Sequence, residues 1–252
     1  MINISFIIPA FNEARGISNT INSILTEISK YPTLSFEIIV VNNASTDETK
    51  DIALAISKVI VIDEPKKGLV FARFAGALKA SGELLAHIDA DCLLPAGWIQ
   101  ICVEEFNKDP KLVAVSGPHH YYDVYNDLNF FEKFIVNSYH SISYAVYFLN
   151  RHILKIGSIL QGGNFVVKKW AWEQIGSASK EFSFYGEDTD LCQRLFKIGN
   201  VKFEKKFIIN ASGRRLKEEG LIKTGGLYII NYFSVLFFNK PATKKYTDIR
   251  PI

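Results

Sequence analysis

The first ninety residues alternate between apolar runs and helix-period segments, and this alternation constrains the fold more than any other feature. Ile4–Ile8 is a β-rich apolar run that ends at Pro9. Ile17–Ile28 carries apolar residues at 17, 21, 24, 25 and 28, which is a helical period. Phe36–Val41 is a second apolar run. It leads into Ser45-Thr46-Asp47-Glu48, a capping box with Ser45 as N-cap, which predicts a helix through Ile56. Val59–Ile62 is a third strand, Gly68–Lys79 a helix and Leu84–Ile88 a fourth strand. Uninterrupted apolar strands separated by helices predict a mostly parallel sheet covered on both faces. In such sheets ligands bind beyond the carboxyl ends of the strands.

Those ends share a chemistry. Strand one runs into Pro9-Ala10-Phe11-Asn12-Glu13, strand two into Asn42-Asn43-Ala44-Ser45, strand three into Asp63-Glu64-Pro65-Lys66-Lys67-Gly68, and strand four into Asp89-Ala90-Asp91. Acids, amides and lysines on four converging strand ends suit a phosphorylated ligand with a metal. Alternate residues of an extended segment point to one side, so Asp89 and Asp91 can face one ligand. Two carboxylates together with phosphate oxygens suit Mg2+ or Mn2+. A surface turn is the alternative reading of a lone Asp-Ala-Asp, and its place after an apolar strand weighs against that.

The second half reads differently. Residues 119–156 are rich in Tyr, Phe and Ile and read as long helical segments. Gly162-Gly163-Asn164 opens a strand over Phe165–Val167, and Gly186-Glu187-Asp188-Thr189-Asp190 starts a helix through Ile198. In that helix Asp190 suits the first turn and an i,i+4 pair with Arg194. Asp188 shares a face with Leu191, Cys192 and Leu195, which places it at a buried rim, where desolvation raises a carboxylate toward general-base values. Short strands over Lys202–Ile209 precede a helix over Glu219–Phe238. No internal repeat or linker interrupts the chain, which predicts one domain over 1–212 with a tail, 213–252, packed on it. Within that domain, 1–117 carries the polar strand ends and 118–212 the aromatic segment and the second acidic cluster.

In their order and spacing, Pro9-Ala10-Phe11-Asn12-Glu13, Asn42-Asn43-Ala44-Ser45-Thr46-Asp47, Asp89-Ala90-Asp91 and Gly186-Glu187-Asp188 resemble the family 2 glycosyltransferases of GT-A fold. The resemblance covers roughly residues 3–200. It implies an inverting transferase that uses a nucleotide-diphosphate sugar, a UDP-sugar first, with Mn2+ or Mg2+. It implies that Pro9, Phe11 and Glu13 line the nucleotide pocket, Glu13 toward the ribose, and that Asn42 stands where the family often has a base-contacting Asp. An Asn accepts from an imide N–H but can also donate, so thymine or another base, or a lipid-phosphate sugar donor, stays open. Arg73 matches a residue near the diphosphate. Asp89 and Asp91 match the metal and ribose motif, with Asp91 the direct ligand. Glu187-Asp188 matches the catalytic acidic motif, with Asp188 as base. Arg214 and Arg215 follow a small-residue turn and would either close on the diphosphate, since Arg suits phosphate oxygens, or form a solvated basic surface. The resemblance further makes 1–117 the nucleotide-sugar-binding half and 118–212 the acceptor side. The acceptor implied is a glycan or a lipid-linked molecule.

Composition sets the remaining bounds. The chain has 252 residues, 48% of them hydrophobic, enough for one large core, and a net charge of +3, too weak for a nucleic-acid partner. Residues 213–252 hold eight Lys and Arg against three Asp and Glu, a local +5. Aromatics concentrate in 121–156 and 226–238, where mixture with Lys and Arg suits helices at a membrane interface, with plain core packing as the alternative; as a bare apolar stretch, 226–238 falls short of a span. Cys92, Cys102 and Cys192 are widely spaced and read as small buried hydrophobes. They suit a reducing compartment, with no signal peptide at Met1, so the expected place is the cytoplasm, at the inner face of the membrane. A sugar-phosphate nucleotidyltransferase is the rival enzyme class, but it would open with a Gly-rich basic loop where Pro9–Glu13 stands. A nucleotide-sugar-binding protein without turnover is the non-enzyme rival.

Overall fold

The structure, a computed structural model, describes residues 3–124, 130–154, 158–176, 182, 184–243 and 246–250. The first four strands are β1 (Asn3–Ala10), β2 (Ser35–Asn42), β3 (Val59–Asp63) and β4 (Leu84–Ile88). They lie side by side in the order β3-β2-β1-β4, all parallel. The helices between them are α1 (Ile17–Ile28), α2 (Thr49–Leu54) and α3 (Leu69–Lys79). Past β4 the sheet continues through β8 (Asn164–Lys168), β6 (Leu112–Ser116) and β9 (Asn200–Phe203). β8 runs antiparallel to both neighbours, so the second half of the sheet departs from the parallel rule of the first.

Both faces are covered, which is why the strands read as continuous apolar runs. Ile4, Phe6 and Ile8 point into one core with Ile17, Ile21 and Ile24 of α1 and Trp98, Ile99 and Cys102 of α4 (Trp98–Lys108). Ile7, Ile39 and Leu85 point to the other core. There they meet Ala72 and Ala77 of α3, Trp172 of α6 (Lys169–Ile175) and Leu191 and Leu195 of α7 (Glu187–Phe196). The three Ile side chains of α1 are fully buried and contribute about 1.5–3 kcal/mol each. All three cysteines are buried and free.

Several boundaries differ from those read in the sequence. β1 runs through Pro9 to Ala10: its pairing with β4 stops at Ile7, so the missing Pro9 N–H costs no bond on that side. The capping box does not form. α2 begins at Thr49, and Ser45 Oγ instead accepts the Asn12 N–H. His119–Tyr121 is not helical. It is β7, in a small sheet with β5 (Cys92–Leu93) and β10 (Ile209–Ala211), and the long helix of this segment, α5, covers Phe130–Phe148 before a π-helical stretch, Leu149–Leu154. The parts of 121–156 at 125–129 and 155–157 lie outside the described residues. The expected helix over Glu219–Phe238 is α9 (Leu221–Phe238), and a further short helix that the sequence did not announce, α8 (Arg214–Glu219), precedes it across Gly220, whose φ of 84° is left-handed.

α9 is built inside out. Thr224, Asn231 and Val235 face the domain, while Ile222, Ile229, Ile230, Phe233, Phe237 and Phe238 face outward, each exposed by 46% or more. As a helix the segment spans 18 residues, longer than the apolar run in the sequence suggested, and by length and composition it is apolar enough to cross a membrane.

Candidate active site

The strand order reverses between β1 and β4, so their carboxyl ends flank the crevice where an open α/β sheet binds ligands. The loop after β1 is laced to the loop after β2. Asn12 Oδ1 accepts the Thr46 N–H at 2.8 Å, Thr49 Oγ1 accepts the Glu13 N–H at 2.7 Å and Asp47 Oδ2 accepts the Ala14 N–H at 3.1 Å. The Ser45–Asp47 group therefore holds Phe11 and Glu13 in place rather than starting its own helix.

Two connected hollows make up the cleft. One is lined by Pro9, Phe11, Asn43, Lys67, Phe184 and Arg250, among others. The second is lined by Glu13, Asp89, Asp91, Arg214, Arg215 and Tyr228, again among others. Asn42 is absent from both. Its side chain points to the α1–α2 side, where its Nδ2 donates to Asp63 Oδ1 at 2.8 Å, and successive residues of a strand face opposite ways. Asn43 is the amide in the cleft, and the sequence reading chose its neighbour. Asn43 Nδ2 donates to the carbonyls of Glu64 and Lys66 at 2.9 and 2.8 Å, and its Oδ1 accepts the Gly68 N–H at 2.7 Å. Asn43 thus staples the β3–α3 loop and sets Lys67 over the Phe11 ring, 3.7 Å from its centroid.

At the other end Arg73 is 1% exposed and sits among carboxylates. It donates to Asp89 Oδ1 at 3.0 Å and is ion-paired with Glu187. Glu187 is 4% exposed, so it serves as Arg73's buried counter-ion rather than a group facing the cleft. Asp188, beside it at the head of α7, accepts the Gly162 N–H at 3.3 Å. Burial raises the Asp188 carboxyl above its ordinary value, and the Arg73 charge only partly opposes this. The rim placement read from the helical face of Asp188 holds, as does the Asp190–Arg194 pair, at 2.8 Å.

The Gly162–Gly163 turn joins the two acidic groups. β8 lies antiparallel beside β4 with Asn164 opposite Ile88, which puts the turn against Asp89. A Cβ on Gly163 would come within 2.3 Å of Asp89 Oδ2, and its φ is +75°, so only glycine suits the position. Asn164 itself is a buried hub that the sequence reading did not single out. Its Oδ1 accepts the Trp98 indole N–H at 3.1 Å, and its Nδ2 donates to the carbonyls of Phe207 at 2.7 Å and Gly117 at 3.1 Å. A buried Asn next to a Gly-Gly turn was the available signal.

Between the halves lies Asp91. Its carboxyl is pushed up to about 7, first by desolvation and then by the charges of Glu13 and Asp89. Arg214 Nη2 lies 3.3 Å from Asp91 Oδ2 and 2.7 Å from Glu13 Oε1. Carboxylates this crowded fit a divalent cation, and their oxygens are the hard donors Mg2+ and Mn2+ prefer. Among the described residues no three His, Cys, Asp or Glu converge closely enough to hold such an ion alone. Arg215 is turned elsewhere: it pairs with Glu219 at 2.8 Å and sits over the Phe184 ring. His87, inside β4, is clamped between Phe165 and Trp172, each 4.6 Å away, with no hydrogen bond to either ring nitrogen among the described residues.

Known proteins share this fold. The fold matches a mannosyltransferase from Pyrobaculum calidifontis, solved with GDP-Man and Mn2+, with a TM-score of 0.67 and 21% identity over 94% of this chain and 63% of that one. It also matches glucosyl-3-phosphoglycerate synthase from Mycobacterium tuberculosis, solved with Mn2+, UDP and phosphoglyceric acid. Here the TM-score is 0.63 and identity 19%, over 96% and 80% of the two chains. In sequence, the chain is 35% identical to the glycosyltransferase AglE of Haloferax volcanii over 102 residues, 38% of this chain and 33% of that protein. It is 22% identical to the hyaluronan synthase of Pasteurella multocida over 237 residues, 90% of this chain and 22% of that one. The chain therefore spans a third or less of the length of these two sequence relatives. The pattern of Glycosyl transferase family 2 matches residues 5–173, from β1 through the Gly-Gly turn to α6, and the chain belongs to that family and has its GT-A fold.

Proposed function

We propose that the enzyme transfers a glycosyl group from a nucleotide-diphosphate sugar to an acceptor hydroxyl with inversion, and that Asp188 is the general base. The observation that carries this is the placement of Asp188: a carboxylate raised by burial, fixed by the Gly162 N–H and one glycine turn away from Asp89. Asp188 takes the acceptor hydroxyl's proton while that oxygen bonds to the anomeric carbon. The bond from that carbon to the diphosphate breaks on the opposite face, and the nucleoside diphosphate leaves with its electron pair. Arg73, buried and fixed beside Asp89, supplies positive charge without reorganising. Asp91, with Asp89, would hold Mn2+ or Mg2+ jointly with the donor, and the ion would supply Lewis-acid assistance to the leaving group.

Phe11, Asn43 and Lys67 form the nucleobase end, and Glu13 meets the ribose. UDP is the first donor nucleotide to test and GDP the second, since the structural relatives were solved with UDP and with GDP-Man. Kinship to a hyaluronan synthase and to the poly-β-1,6-N-acetyl-D-glucosamine synthase of Staphylococcus epidermidis supports a glycan or lipid-linked acceptor in polysaccharide synthesis. The outward apolar face of α9, near Lys217, Lys223 and Lys240, supports peripheral contact at the cytoplasmic face of a membrane.

Calorimetry with UDP and GDP, with and without Mn2+, tests the donor site. Asp91→Ala should remove the Mn2+-dependent part of binding. Asp188→Asn should bind donor as the parent does yet transfer no sugar, and full transfer by this variant would overturn the base assignment.

A further inference from the structure

The segment Tyr246–Arg250 lies across the nucleotide end of the cleft, and nothing in the glycosyl-transfer reading above uses it. Its contacts come from three side chains. The Tyr246 ring stacks on Phe184, centroids 4.7 Å apart and 17° from parallel. Asp248 pairs with Lys67 at 3.3 Å. Arg250 donates through Nε to Glu13 Oε1 at 3.0 Å, and its guanidinium lies over the Phe11 ring, 5.5 Å from the centroid. The chain carbonyl of Thr247 also accepts from Arg215 Nη1 at 3.2 Å. Three of the residues so engaged, Phe11, Lys67 and Glu13, are those assigned above to base and ribose.

The space left beside them is small. The hollow bounded by Phe11, Asn43, Lys67, Phe184, Tyr246 and Arg250 measures about 40 Å³. At roughly 10–15 Å³ per water that is room for about three waters, and Tyr246 and Arg250 themselves form part of its wall. Glu13 Oε1 already accepts from both Arg214 and Arg250, so a ribose hydroxyl arriving there meets an occupied acceptor.

We propose that Tyr246–Arg250 is an intramolecular occupant of the donor site, with Arg250 standing where the ribose binds, so that donor binding and strap release are one equilibrium. This rests on the reading of the cleft as a nucleotide site. The strap is built to leave. Its charges are paired rather than buried deeply, and Arg250, freed from Glu13, remains a cation beside an anionic ligand. Where only the strap-open fraction binds, the observed affinity is reduced by that fraction.

The test is calorimetric titration of UDP and GDP with Mn2+ into the full chain and two variants. Arg250→Ala removes the occupant. Tyr246→Ala loosens the strap by removing its stack on Phe184, without altering a residue assigned to base or ribose. Both should tighten binding, about tenfold for a strap in place in nine molecules of ten. Amide exchange over 246–250 should speed up when nucleotide is added to the parent. Unchanged or weaker binding in both variants, or exchange that slows with nucleotide, would overturn the strap while leaving the donor site intact. Weaker binding in Arg250→Ala alone would also overturn it, since Arg250 would then be a donor contact. Binding by the variants but not by the parent would support it most strongly. If neither the parent nor either variant binds a nucleotide, the nucleotide-site reading fails and the strap falls with it.

Discussion

At the scale of single residues, the site is a balance of carboxylates against few cations. Arg73 answers to Asp89, Glu187 and the nearby Asp188 at once. Arg73→Ala should leave Glu187 buried without a counter-ion and cost about 3–5 kcal/mol, read by urea unfolding. Asp188 is the opposite case. Its raised folded-state value means that its ionisation disfavours the fold, so its share of stability is intact below the ordinary carboxylate range and is lost as pH rises through the folded value. Asp188→Asn should therefore melt at a higher temperature than the parent at pH 7. The gain should vanish below about pH 4, where the parent's Asp188 is protonated folded and unfolded. The acid limb of kcat/KM should in turn sit above the ordinary carboxylate value of 3.8. Asn164 makes a purely structural prediction. Removing its amide orphans the Trp98 N–H and at least one buried carbonyl, each worth about 1–3 kcal/mol, so Asn164→Ala should be destabilised by about 2–6 kcal/mol in denaturant titrations.

Elements decide which of these residues meet. β8, running against β4, is what carries the Gly162–Gly163 turn to Asp89 and Asp188. Gly163→Ala should lose transfer activity and more than about 1 kcal/mol of stability, since the added methyl meets a carboxylate at a left-handed φ. The strands and helices of the first half were legible in the sequence because each declares itself by its own period and is closed locally. The antiparallel β8 was not, because its buried three-residue apolar run, Phe165–Val167, carries no sign of its direction. α9 is a case where pattern and packing disagree. Its polar residues face inward and its large apolar ones outward, the reverse of a helix that exists to cover a core. Replacing Ile229, Phe233 and Phe237 with Ser should leave the melting temperature within a few degrees. The same change should abolish flotation with anionic vesicles, and unaltered flotation would remove the interfacial role of this face.

For the whole molecule, the basic stretch over 213–252 folds back on the acidic cleft rather than standing apart. Arg214 reaches Glu13 across 201 positions of sequence, and Arg250 reaches it across 237. A ligand that binds here stabilises the folded chain by mass action, about 2.7 kcal/mol at a concentration one hundred times its Kd. UDP with Mn2+ should accordingly raise the melting temperature of the parent, and in Asp91→Ala the Mn2+-dependent part of that rise should disappear.

What the sequence determined by itself is the scaffold and the family. Apolar periods are local, so four parallel strands, their helices and the acidic ends that follow them could be read one segment at a time. Asp188 could be placed at a rim for the same reason, because a helix repeats within a few residues. What only the tertiary structure decided is which of two adjacent amides faces the cleft. It also turned Glu187 inward to Arg73, and it set Arg214 and Arg250 over Glu13 while Arg215 turned to Glu219. Each of these depends on contacts between residues far apart in the chain, where packing and charge neutralisation in a shared desolvated space select one arrangement among several that the local pattern allows equally.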